Sequence, residues 1–155
     1  AIGIAREFDL DYVLVHGTEG HLIADILAAE GARVICGPLL TDRSKPELRE
    51  QALDTAGILA KTGVVTALCT DHPETPLKFY PLCAALCVRH GMDYMDALRA
   101  MTIVPARICG VEDRMGSLAP GKDVDFVWFD GDPLSIYTHV ELVAVDGKIA
   151  WQRQA

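Results

Sequence analysis

Over the first two thirds of the chain, short apolar runs rich in β-branched residues alternate with longer stretches of helical period. Tyr12-Val13-Leu14-Val15 reads as a strand closed by His16-Gly17. Thr18 is placed to cap a helix running to about Ala29, which Gly31 ends. Arg33-Val34-Ile35-Cys36 is the next strand, stopped by Gly37-Pro38. The polar stretch TDRSK leads to Pro46, where a first helical turn tolerates a missing N–H, and the pattern predicts a helix through Lys61. Val64 to Cys69 is a third strand, followed by Asp71, and a loop with Pro73 and Pro76 precedes a helix over Leu77–Arg89. Two more helices follow, one starting at an Asp93 cap and one carrying Pro105 in its first turns. The order β-α-β-α-β-α predicts a parallel sheet with right-handed crossovers. The near-continuous apolar strands suit a sheet covered on both faces.

Beyond Gly110 the pattern changes. Pro and Gly turns surround Asp125-Phe126-Val127-Trp128-Phe129, and Glu141–Val145 and Lys148–Trp151 flank an Asp146-Gly147 turn as in a hairpin. The boundary divides the chain into residues 1–109 and 110–155, and the second part is too small to hold a core alone. Trp128, Phe129 and Trp151 alternate with polar neighbours and are expected to pack in a sheet core.

Composition narrows the partners. Half of the 155 residues are apolar, which excludes a disordered chain. A formal net charge of −8 without a basic patch makes nucleic acid and anionic lipid poor partners. No apolar run is long enough to span a membrane. Cys36, Cys69, Cys83, Cys87 and Cys109 include no CxxC pair and read as reduced residues of a cytoplasmic protein, mostly in the core.

In parallel α/β folds the chemistry gathers at the C-terminal ends of strands. His16 follows the first strand and Asp71 the third, whereas the strand between them ends in Gly-Pro and supplies no charge. Asp71 is followed by His-Pro, which hinders an immediate helix start, so a simple capping role fits it poorly.

The segments VHGTEGH (15–21), VICGPLLTDRSKPEL (34–48), ALCTDHPETP (67–76), the stretch 97–133 ending in GSLAPGKDVDFVWFDGDP, and VELVAVDGKIAW (140–151) resemble, in that order, the metal-dependent amidohydrolases of the imidazolonepropionase and prolidase-like branch. The resemblance implies a partial TIM (β/α)8 barrel: strands six to eight with their helices in residues 1–109, then C-terminal strands of a small β-sandwich. It implies that Asp71 is a metal ligand and the proton shuttle. It implies that His16 binds a second metal or contacts substrate. The cofactor would be a divalent metal, zinc first, as one or two ions. His72, Glu74 and Thr75, in the loop over the rim, become candidate substrate contacts for a small molecule. His21 reads as structural or as supporting the site, His90 and His139 as surface residues, and Lys122 as a turn residue.

The family's His-x-His pair is absent, since the histidines stand at 16, 21, 72, 90 and 139. A full barrel needs about 250 residues. The expectation is therefore a C-terminal fragment of an enzyme that hydrolyses a C–N bond, inactive alone and partnered by the missing N-terminal part of the barrel. Open sheet edges would also drive homo-oligomers. The alternatives are a non-catalytic partner protein of the same fold, and a flavodoxin-like binding domain, disfavoured by three parallel strands and the terminal hairpin.

Overall fold

The computed structural model describes residues 1–154. It is a mixed α/β structure with two three-stranded sheets, one parallel in the order β1-β2-β3 and one antiparallel in the order β4-β5-β6. The first part runs α1 (Ile2–Glu7), β1 (Leu14–His16), α2 (Ala24–Ala29), β2 (Arg33–Cys36), α3 (Thr55–Lys61), β3 (Val65–Leu68), α4 (Tyr80–Arg89), α5 (Tyr94–Met101) and α6 (Ile103–Ile108). The antiparallel part is β4 (Phe126–Phe129), β5 (Val140–Val145) and β6 (Lys148–Gln152). No helix among the described residues is long and apolar enough to cross a membrane.

Alternation within the strands sets the layers. Val34 and Cys36 on β2 and Leu68 on β3 turn to one side, where they join Leu27 of α2, Leu59 of α3 and Cys83 and Cys87 of α4 in a closed core. Burying each of these aliphatic side chains contributes roughly 1.5–3 kcal/mol. The opposite row is Val15, Ile35 and Ala67 in register, and it opens progressively from buried Ala67 to exposed Val15. The expectation of strands covered on both faces therefore fits β3 better than β1, which is the sheet's uncovered edge.

Four local differences from the sequence pattern have physical causes. The helix expected from Thr18 begins as a 3-10 turn at Gly20–Ile23, without a side-chain cap from Thr18. Thr18 is instead buried, and its carbonyl accepts the Thr55 hydroxyl at 3.3 Å. The helix expected over 46–61 is broken into a 3-10 turn at Pro46–Leu48 and α3. Between them, Arg43 takes the Gln51 carbonyl that a continuous helix would need for Thr55. The helix expected over 77–89 likewise opens with a 3-10 turn, Leu77–Phe79. Finally, Trp128 and Trp151 are not in a core: they are 63% and 49% exposed, because no element among the described residues covers them.

Other expectations hold. The Asp93 carboxylate accepts from the Met95 and Asp96 amides and caps α5. Asp146 and Gly147 both have positive φ, as a tight hairpin turn with right-handed strand twist requires. All five cysteines are free: Cys36, Cys83 and Cys87 are buried, Cys69 is half-buried and Cys109 is exposed. Burial pushes the Cys36 and Cys87 thiols up to about 12, so neither is a nucleophile near neutral pH. Iodoacetamide at pH 8 is expected to alkylate Cys109 first in the native protein and all five cysteines in guanidinium. Rapid native labelling of Cys36 or Cys87, read by peptide mass, would contradict this core.

Gly37 directly follows β2, beside the chain leaving β3. Its φ is +143°, and a Cβ there would lie 2.1 Å from the Cys69 carbonyl oxygen. Gly37→Ala is expected to cost about 2–4 kcal/mol, measured by urea unfolding. A loss below about 0.5 kcal/mol would show that this approach is not tight.

Candidate active site

Parallel pairing puts the ends of all three strands at one edge. His16, Cys36 and Leu68 are in register, and the ladder continues past them through Gly37 N–H to the His16 carbonyl and Cys69 N–H to the Cys36 carbonyl, each 2.9 Å. Cys36 and Leu68 are buried, but His16 does not follow them into the core. β1 ends on it with φ +76°, and Asp71, three residues past β3, has φ +50°. Two non-glycine residues are thus held in the left-handed region, each at about 1–3 kcal/mol.

These two residues meet. His16 Nε2 lies 3.3 Å from Asp71 Oδ2, with the side chains 52% and 41% exposed. An exposed pair of this kind adds at most about 1 kcal/mol to stability. Its chemistry is that of a nitrogen donor and a carboxylate oxygen donor side by side, which are the ligand types zinc prefers. No group of three or more metal-type side chains that could hold an ion occurs among the described residues.

Both residues line a cavity of about 980 Å³. Glu74 lines it too, whereas His72 and Thr75 do not. His72 is exposed, and its Nδ1 accepts the Leu77 amide at 3.4 Å, at the start of the turn leading into α4. Thr75 is 1% exposed, and its hydroxyl donates to the Leu40 carbonyl at 3.1 Å. A side chain so enclosed and engaged is not a substrate contact, which corrects the expectation for Thr75. His21 is also accounted for structurally. Its Nδ1 lies 2.8 Å from Thr55 Oγ1, which also reaches the Thr18 carbonyl at 3.3 Å. Lys122 donates to the Glu112 carbonyl, and His90 and His139 are exposed, as expected of turn and surface residues.

The sequence reading missed one wall. Thr41, Asp42, Ser44 and Lys45, in the segment after β2, line the same cavity. The signal was present: TDRSK is a polar run separated from β2 by four residues, on the loop leaving the strand's C-terminal end. Asp42 is held below the usual carboxylate range chiefly by its hydrogen bonds to Ser44. Together with Glu19, Glu47, Asp71 and Glu74 it gives the cavity an excess of carboxylates over its one lysine, Lys45, a field that favours cations.

The comparisons with known proteins fit this geometry. Residues 7–150 match the model of the Amidohydrolase family. The chain belongs to that family. Among solved structures it is similar to an amidohydrolase from Thermotoga maritima MSB8, with TM-score 0.94 and 43% identity over 98% of this chain and 40% of that one. It is 28% identical to the amidohydrolase tasK of Hapsidospora irregularis over 85% of this chain and 14% of that protein. It is 31% identical to the imidazolonepropionase of Shewanella baltica over 54% of this chain and 21% of that protein. This amidohydrolase chain thus spans between 14% and 40% of the length of these three proteins.

With two donors in place and no third among the described residues, the purified chain is expected to retain zinc sub-stoichiometrically after dialysis. His16→Ala and Asp71→Asn should each remove most of what remains, measured by elemental analysis. One tightly held zinc per chain, indifferent to both substitutions, would place the metal elsewhere.

Proposed function

We propose that this chain is the C-terminal portion of a metal-dependent amidohydrolase that hydrolyses the C–N bond of a small molecule. The cyclic amide, deamination and dipeptide classes remain the candidates. In this reading β1 to β3 are the last three strands of a (β/α)8 barrel in residues 1–109. Residues 110–155 are the C-terminal part of a composite β-sandwich. The observation that carries the reading is the His16–Asp71 pair: two strained residues from different strands, brought to 3.3 Å at the chemical edge for little gain in stability.

His16 Nε2 and an Asp71 oxygen would hold a divalent ion, zinc being the match to the donor types. Such an ion supplies the acidity that ionises a water near neutral pH. Asp71 has a second oxygen free for proton work. It accepts the proton of the attacking water and passes it to the leaving nitrogen, a role its exposure to the cavity permits. His16 either shares a second ion or donates a hydrogen bond to the scissile carbonyl. Glu74, at the cavity wall, faces the substrate.

The partner implied is the N-terminal part of the barrel. Support for it comes from β1, which presents a free strand edge beside exposed Val15, Leu22, Ile23 and Ile26. The same surface supports self-association of the chain alone. Reduced, unpaired cysteines are compatible with a cytoplasmic setting.

The test is to assay the chain, joined to the N-terminal part of its barrel, on a panel of cyclic amides, amidines and dipeptides. Asp71→Asn is expected to lower kcat by about 10²–10⁴-fold or more while the thermal midpoint changes little. Near-normal turnover in Asp71→Asn would remove Asp71 from the mechanism. Failure of every panel compound with intact metal binding would favour a non-catalytic role.

A further inference from the structure

The segment from Gly37 to Asp54 has almost no regular structure, yet the carbonyls of Pro38, Leu39 and Leu40 are all taken. Gln51 Nε2 donates to the Pro38 carbonyl at 2.9 Å and reaches the Leu39 carbonyl at 3.4 Å. Thr75 Oγ1 donates to the next carbonyl, Leu40, at 3.1 Å. Arg43 then folds back, its guanidinium donating to the Gln51 carbonyl at 2.7 Å. Both anchoring side chains are enclosed, Gln51 at 6% exposure and Thr75 at 1%. Gln51 keeps this place at a cost, because its Oε1 is buried without a partner among the described residues. An apolar residue there would avoid that cost. What an apolar residue lacks is the amide that holds the two carbonyls.

We propose that Gln51 and Thr75 are positioning residues that lock residues 38–40, so that Thr41, Asp42, Ser44 and Lys45 form a fixed hydrogen-bonding and charged wall that recognises the polar end of the substrate away from the bond handled by His16 and Asp71. The proposal rests on the amidohydrolase reading of the cavity and adds the part that sets specificity. Thr75 belongs to the same loop as Asp71, and its amide bonds the Thr70 carbonyl at 3.1 Å. The recognition wall and the proton-handling carboxylate are therefore tied through one buried hydroxyl. Preorganised walls of this kind lower the ordering cost of binding, so loosening them weakens substrate capture before it affects chemistry.

Limited trypsin digestion of the full chain tests the lock without any substrate. The Arg43–Ser44 bond is the cleavable one in this wall, since Lys45 is followed by Pro46. Cutting there requires the segment to open and Arg43 to release Gln51. Gln51→Leu and Thr75→Val are each expected to raise the rate at Arg43 by about tenfold or more relative to the rate at Lys148 in the distant hairpin, while Thr75→Ser stays at the wild-type ratio. If either variant does not fold, Gln51→Asn, one methylene too short to reach both carbonyls, is judged by the same ratio. An unchanged ratio, or equal acceleration at both sites, overturns the proposal. On a substrate found in the panel, Gln51→Leu should raise KM about tenfold with kcat within about twofold; a fall in kcat at constant KM also overturns it. Failure of the hydrolase reading would appear separately, in zinc retention and in Asp71→Asn.

Discussion

Parallel register is the constraint on which this molecule depends. Because β1, β2 and β3 run in the same direction, residues 16, 36 and 68 stand in one row, and the loops that leave them share one edge. The row would be of no chemical interest if its members behaved alike. Two of them go into the core, and the third leaves it with a left-handed backbone to meet a carboxylate from a strand two places away. The middle strand contributes by absence: at position 37, with φ +143°, a Cβ would lie 2.1 Å from the Cys69 carbonyl oxygen, so the chain leaves β2 on a glycine.

Much of this was legible along the chain. The alternation of apolar runs and helical stretches located all six strands to within one or two residues, and the Asp93 cap and the Asp146-Gly147 turn were readable from local chemistry. His16 and Asp71 could be picked out because titratable groups at strand ends are informative in a parallel fold. The breaks in the helices were not legible. They arise from contacts distant in sequence, such as Arg43 taking the Gln51 carbonyl, which no periodicity announces.

Which side chains of the loop after β3 face the cavity was the least legible. His72, Glu74 and Thr75 are neighbours in one loop, and proximity to Asp71 recommended all three equally. Only the folded loop separates them: Glu74 faces the cavity, His72 receives a backbone amide, and Thr75 turns inward to another loop. Gln51 escaped notice for the opposite reason. Glutamine is usually a surface residue, so a buried glutamine with a structural task looks like any other polar position in a helix.

The location of the tryptophans has a practical consequence. Both indoles, Trp128 and Trp151, belong to the antiparallel sheet, and neither lies in the part that holds His16 and Asp71. Intrinsic emission therefore reports on residues 126–152 and is nearly blind to the loops around the cavity, where ligand or metal would act. A spectroscopist following events at the strand ends will need a label of another kind, such as fluorine on Tyr80, whose hydroxyl is bonded to the Leu68 carbonyl at the end of β3.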